Sequence, residues 1–300
     1  MKSALLLIII FFAAGFAEGA MIKSTRKLPL GETEVQVNIY ENAGANITFF
    51  APHHNEQIGL NLAREFVQKN GGRLVEIESY DDRGKPSRYI KFKLNNKTYT
   101  IDPNRIFTAN GRSCGVSAEI AGAVKIFADS LLPAILAADG RSLRDKERFI
   151  VAVHNNTDVS AKNADAQTGN LTAAAFIKAQ SGRNLAHGAF EAQADGVFLS
   201  NTETDEDNFV FLSTPAHIGH FAAYGFNVVV QKTAAKLQSK QCAVDDGSLS
   251  VYAAQNAVQY ICLEADGASG ALRQRRMFQA VYALLPDIKD MESEALASRN

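Results

Sequence analysis

The chain has 300 residues, of which 46% are hydrophobic and 21% charged, with only seven prolines. That is enough apolar material for one large core, and it excludes a disordered or collagen-like chain. A formal net charge of −1 gives no overall electrostatic case for a nucleic acid or an anionic membrane as partner.

The N-terminus begins with Lys2, runs through apolar residues from Ala4 to Phe16 and ends in the small-residue stretch Ala17-Glu18-Gly19-Ala20. This pattern reads as a secretory signal peptide over residues 1–19, with cleavage after Gly19 or Ala20. The apolar run is shorter than the roughly 20 residues a helix needs to cross the hydrocarbon core. A periplasmic or secreted protein is therefore expected, with no stable membrane insertion after signal cleavage. No Pro/Gly/Ser-rich linker or internal repeat divides the remainder, so residues 20–300 are expected to form one domain.

Glu34 to Tyr40 alternates apolar and polar residues, and Ile47 to Phe50 is β-branched and aromatic; both read as strands. The second runs into Ala51-Pro52-His53-His54. From Asn55 to Lys69 the apolar spacing predicts a helix, ended by Gly71-Gly72. Leu74 to Ile77 reads as a strand. Tyr89 to Leu94 and Tyr99 to Ile101 flank Asn95-Asn96 as a hairpin, which exits through Asp102-Pro103-Asn104-Arg105. Ser117 to Leu136 has helical spacing, although Pro133 should kink or end it.

Arg148 to Val153 is a strongly apolar strand ending at His154, and the polar stretch from Asn155 to Asn170 reads as a long loop. Further strands are expected at Gly196 to Leu199, Phe209 to Leu212, Val228 to Val230 and Tyr260 to Leu263. Helices are expected around Pro215 to Tyr224 and Ala271 to Leu284. The alternation predicts an α/β fold, with a mixed central β-sheet flanked by helices on both faces. In such folds active residues gather at strand ends, where His53, His154 and Glu264 all fall.

Of the three cysteines, Cys242 with Cys262 is the expected bridge, the alternative being three buried thiols. They do not form a zinc framework, so a metal would have to be held by histidine and carboxylate. His217 and His220 form an H-x-x-H pair with no carboxylate motif beside it, and read as a helix face. Arg273, Arg275 and Arg276 read as a solvated face.

His53 and Glu56 form an H-x-x-E pair, three residues apart, able to reach one ion from the same side. A catalytic zinc takes three protein ligands and keeps a position for water, and His154 is the best candidate for the third ligand. His54 is the competing first ligand. The order of motifs then resembles the zinc carboxypeptidase (carboxypeptidase A-like) family. It runs from H-x-x-E after a strand, through Asn104-Arg105, to the strand-end His154 in Val-Ala-Val-His-Asn-Asn and Glu264 in Tyr-Ile-Cys-Leu-Glu-Ala.

The resemblance covers most of the mature chain and includes the related succinylglutamate desuccinylase/aspartoacylase branch. It implies that His53, Glu56 and His154 bind zinc, and that Asn104 and Arg105 hold a substrate carboxylate. Glu264 would be the general base and acid. The site tyrosine and oxyanion arginine of that family have no clear motif here; Tyr252 is a candidate for the first, Arg88 or Arg83 for the second. The implied substrates are peptides or acylated amino acids bearing a carboxylate, cell-wall peptides among them given the expected export. The implied activity is that of a metallocarboxypeptidase, the alternatives being a zinc deacylase of acylated amino acids or a non-catalytic binding protein on the same fold.

Overall fold

The computed structural model describes residues 20–136, 149–156, 194–203, 205, 207–232, 242, 244–267 and 269–285. The expected signal segment 1–19 and nearly all of the expected loop from Asn155 to Asn170 lie outside the described residues. The strands of the main sheet are β1 (Ile22–Leu30), β2 (Thr33–Asn42), β3 (Ile47–Ala51) and β4 (Gly72–Glu78), with α1 (Gln57–Asn70) joining the last two. A separate hairpin, β5 (Ile90–Leu94) with β6 (Lys97–Ile101), precedes a short 3₁₀ turn at Pro103–Arg105, then α2 (Ala109–Ser113) and α3 (Ala118–Leu136). The chain returns through β7 (Phe149–Asn156), β8 (Ala194–Phe198), β9 (Phe209–Leu212), α4 (Ile218–Ala223) and β10 (Asn227–Gln231). It ends with α5 (Leu249–Asn256), β11 (Tyr260–Asp266) and α6 (Ala271–Tyr282).

The nine-stranded sheet has the order β1-β2-β4-β3-β7-β11-β9-β10-β8. Its centre is parallel: β3 pairs with both β4 and β7, and β7 with β11. Antiparallel pairs β1/β2, β2/β4, β11/β9 and β10/β8 surround that centre, which makes the sheet mixed. Both faces are covered. Phe49, Val151 and Ile261 face the layer of α1 and α6, whereas Phe50, Ala152 and Cys262, one residue along each strand, face α3 and α5.

This two-sided burial is why the central strands read as unbroken apolar runs. Phe49 stacks on Phe278 of α6 at 5.0 Å between ring centroids and is fully buried; truncating such a ring to alanine costs about 3–5 kcal/mol.

Gly71 and Gly72 do end α1, and the reason is steric. Gly71 has φ +82°, and a Cβ there would lie 2.3 Å from the Ala43 carbonyl oxygen. α3 runs through Pro133 to Leu136. Burial of Ala134 and Ile135 offsets the backbone bond that proline removes.

Three other expectations change. His53 and Glu56 lie in a turn before the helix rather than on its first turn, closed by Glu56 N–H donating to the His53 carbonyl at 3.2 Å. β1 was not foreseen. Most of its side chains are exposed, so it carries little apolar pattern, and Pro29 is tolerated because β1 is the sheet edge. The disulfide joins Cys114 to Cys242, across 128 residues, and not Cys242 to Cys262. Cys262 is a free, buried thiol inside the sheet, on the central strand β11. Among the described residues, no helix is long and apolar enough to cross a membrane.

Candidate metal centre and active site

The sheet brings the candidate residues together at the C-terminal ends of its parallel strands. β3 leads through α1 to β4 on one side, while β7 lies on the other side of β3. The crevice between β3 and β7 is therefore a topological switch point, where α/β sheets gather their binding residues. His53 follows β3, His154 ends the apolar part of β7, and Glu264 lies on β11 in direct register with His154.

His53 Nδ1 lies 2.8 Å from Glu56 Oε1, His154 Nδ1 lies 2.9 Å from Glu56 Oε2, and the two Nδ1 atoms are 3.2 Å apart. All three side chains are buried, and their ligand atoms lie within 4.8 Å of one another. His53 Nε2 is engaged at 2.9 Å by Asp102 Oδ1. In the tautomer with the ring N–H on this outer nitrogen, that carboxylate accepts it and the Nδ1 lone pair faces the other two groups, the arrangement that orients a metal-binding imidazole. Asp102 also accepts from the Asn104 backbone N–H at 2.8 Å, so the same side chain caps the turn that carries Asn104 and Arg105.

His54 points elsewhere: its Nδ1 meets the Ser79 carbonyl at 2.8 Å and its ring packs edge-on against Tyr80.

Arg88 extends into this ring of carboxylates. Its NH1 donates to Glu56 Oε1 at 3.0 Å, and its Nε and NH2 donate to Asp102 Oδ2 at 3.3 and 3.1 Å. Arg83, the other arginine considered from sequence, is exposed and pairs with its neighbour Asp81. Asn155 completes the support: its N–H donates to Glu56 Oε2 at 3.1 Å, and its Oδ1 accepts from Gly59 N–H at 2.9 Å. The fully buried Gln274 of α6 donates to the His154 carbonyl at 2.9 Å and accepts from Asn155 at 2.9 Å.

The electrostatics follow from burying charges beside each other. Burial alone would raise the Glu56 carboxyl, but His53 and His154 outweigh it and hold the group far below the ordinary range. Burial would also raise Asp102, which His53 and Arg88 hold well below its ordinary value. Burial lowers the His53 imidazole, and the Glu56 and Asp102 carboxylates more than compensate, so its pKa is raised.

Glu264 differs. Burial dominates and pushes it up to about 7, with the Glu56 charge adding to the rise against the lowering effect of His154. Its Oε1 accepts from the Cys262 thiol at 3.2 Å, and its buried Oε2 has no hydrogen-bond partner among the described residues. Glu264, Cys262 and His154 offer a second set of ligand atoms within 4.8 Å, on the same sheet face.

Asn104 and Arg105 sit beside this cluster. Asn104 Nδ2 lies 3.5 Å from His154 Nε2, and its Oδ1 accepts from Leu249 N–H at 3.3 Å. Arg105 NH1 donates to the Asn104 carbonyl at 2.9 Å. Tyr252, on α5, packs as a partly buried side chain against the apolar core, and burial raises its phenol. Among the described residues it makes no hydrogen bond to His53, Glu56, His154 or Glu264. His217 and His220 are engaged separately, the first against the Phe149 ring and the second on the Ala280 carbonyl at 2.8 Å. Arg273, Arg275 and Arg276 meet Glu203, Glu65 and the Tyr224 carbonyl.

Arg88 was one of two sequence candidates for the oxyanion arginine and Cys262 was expected only in a disulfide, whereas Asp102, Asn155 and Gln274 were assigned no role from sequence. Asp102 had a signal, as a carboxylate two residues before Asn104 at a hairpin exit. The others reach the site only through tertiary packing.

No protein-family model and no curated protein matches the sequence. Among solved structures, the fold is similar to a candidate metallopeptidase from Shewanella baltica OS155, at 12% identity and TM-score 0.40, over 88% of this chain and 85% of that one. It is also similar to an aspartoacylase family protein from Mesorhizobium loti, at 13% identity and TM-score 0.36, over 87% of this chain and 68% of that one. A third likeness is to a succinylglutamate desuccinylase from Silicibacter sp. TM1040, at 12% identity and TM-score 0.38, over 91% of this chain and 68% of that one. Identities and TM-scores this low leave function to be read from this chain's own side chains.

Proposed function

We propose that this chain is a zinc-dependent metallohydrolase that cleaves an amide bond, acting as a carboxypeptidase on peptides with a free C-terminal carboxylate. The observation that carries the reading is the buried convergence of His53, Glu56 and His154 within 4.8 Å, next to a base-like Glu264. Two imidazoles and a carboxylate are a usual ligand set of a hydrolytic zinc that keeps a position open. Asp102 on His53 Nε2 presents the Nδ1 lone pair as such a site requires. When bound, zinc supplies a Lewis acid that polarises the scissile carbonyl and makes water more acidic.

The chain's own residues supply the remaining steps. Glu264, with a pKa of about 7, is poised to take a proton from the attacking water and to deliver it to the departing nitrogen. Its unpartnered Oε2 is free to make that contact. Arg88, fixed by Glu56 and Asp102, holds positive charge where an oxyanion would develop. Arg105 and Asn104 offer charged and neutral donors to a terminal carboxylate. Export belongs to the same proposal, supported by the signal-like pattern over residues 1–19 and by a disulfide, which persists in oxidising compartments.

The test compares zinc-loaded protein on one peptide with a free and with an amidated C-terminus. Release of the terminal residue from the free acid alone is expected. Equal cleavage of both would overturn the carboxypeptidase reading and leave amide hydrolysis of another kind.

A further inference from the structure

Arg105 and Asn104 are both gripped by one short loop, residues 244–248, and by the first residue of α5 that follows it, a segment which no motif had pointed to. Asp246 Oδ2 lies 3.4 Å from Arg105 Nε, and Leu249 N–H donates to Asn104 Oδ1 at 3.3 Å. The other Asp246 oxygen accepts from Ser248 N–H at 2.9 Å, which fixes the carboxylate in its own turn. With Nε facing Asp246 and NH1 on the Asn104 carbonyl, the plane of the guanidinium is set from two sides. NH2 and the second NH1 hydrogen are then left for a ligand.

The loop itself is built to stay in place. Gly247, at φ +81°, passes so close to the preceding segment that a Cβ on it would lie 2.3 Å from the Arg105 carbonyl oxygen. Gly111 approaches from the other side, where a Cβ would fall 2.0 Å from Gly247 Cα. The buried Asp245 accepts from Thr108 at 2.5 Å and from Gln255 at 3.2 Å. The N-terminal end of this loop is tied by the Cys114–Cys242 disulfide to the residue that ends α2. Cys242 is exposed.

Resting on the carboxylate-binding role proposed above for Arg105, we propose that Asp246 is a positioning residue that orients Arg105 for a substrate carboxylate, and that the Cys114–Cys242 disulfide tethers its loop to the site. A long, partly exposed ion pair contributes little to stability in general. Its effect therefore shows in ligand selection, because a misoriented guanidinium loses the two-point geometry that a carboxylate needs.

The test measures binding by calorimetry in a zinc-loaded Glu264→Gln background, which prevents turnover. The probes are an N-acetylated dipeptide with a free C-terminal carboxylate and its C-terminal amide. Asp246→Ala is expected to weaken the acid by about fivefold to tenfold while leaving the amide within about twofold. Asp246→Asn, which keeps an acceptor for Nε–H, is expected to restore most of the loss. A Cys114→Ser/Cys242→Ser protein in the same background, which lacks the S–S bond without bringing a thiol chelator to the zinc, is expected to shift the acid in the same direction as Asp246→Ala.

Loss of affinity for acid and amide alike, or for neither, overturns the positioning role. No effect of the Cys114→Ser/Cys242→Ser change overturns the tether. A parent that binds acid and amide equally overturns the carboxylate reading of Arg105 and this inference with it. A parent that prefers the acid, with Asp246→Ala unchanged, overturns this inference alone.

Discussion

His154 and Glu264 are register partners on the adjacent parallel strands β7 and β11, so the candidate metal ligand and the candidate base point from neighbouring positions of one sheet face. Backbone pairing fixes their spacing. Replacing Glu264 with Gln keeps that geometry and removes the proton acceptor. The variant is expected to bind zinc like the parent and to lose about 10²- to 10⁴-fold in kcat, with little change in KM. Steady-state kinetics on the preferred peptide check this, and parent-like turnover would show that another group takes the proton.

Asp102 bears on metal affinity more than on folding. It holds the outer nitrogen of His53 and is itself held by Arg88. Asp102→Asn is expected to weaken zinc about 10- to 100-fold, as measured by competition with a chromophoric chelator. Unchanged affinity would mean that the His53 ring is oriented by its packing alone.

The raised pKa of Glu264 has a stability consequence in the metal-free protein. The group goes from an ordinary 4.5 to about 7 on folding, chiefly through burial, so between those values the folded state holds a proton that the unfolded state has released. Its contribution is fully present below pH 4.5 and is lost as pH rises through about 7. Glu56 and Asp102, shifted downward, change their contributions only at more acid pH. The Tm of metal-free parent should therefore fall relative to metal-free Glu264→Gln across that window. A constant difference between the two would contradict the assignment.

The cysteine pairing is directly testable. A non-reducing peptide map should link Cys114 with Cys242, and denatured, unreduced protein should show one titratable thiol, Cys262. Closing so long a loop is expected to contribute about 2–4 kcal/mol, seen as a lower denaturation midpoint for the Cys114→Ser/Cys242→Ser protein. A link between Cys242 and Cys262 would overturn the structure around β11.

Much of the fold was legible because parallel strands covered on both faces must be apolar throughout, as β3, β7 and β11 are. For the same reason His53, His154 and Glu264 stood out as polar residues where those runs end. The edge strand β1 escaped notice because its exposed side chains carry no burial pattern. The distant partners of Asp102, and of Arg88, which the sequence offered only as one of two candidate arginines, were equally hidden. Arg88 reaches Glu56 across 32 positions and Asp102 reaches His53 across 49, distances that only the folded chain brings to hydrogen-bond range. The expected Cys242–Cys262 bridge failed differently: pairing depends on Cα separation, which sequence spacing does not give and which is 5.8 Å for Cys114 and Cys242.

The central claim is that His53, Glu56 and His154 hold one zinc ion. Metal analysis of the purified protein after equilibration with zinc and removal of excess tests it most directly, with the His154→Ala protein beside it. About one equivalent of zinc in the parent, falling to a small fraction in the variant, is the predicted result. Parent protein that retains no zinc, or a variant that retains as much as the parent, would contradict it.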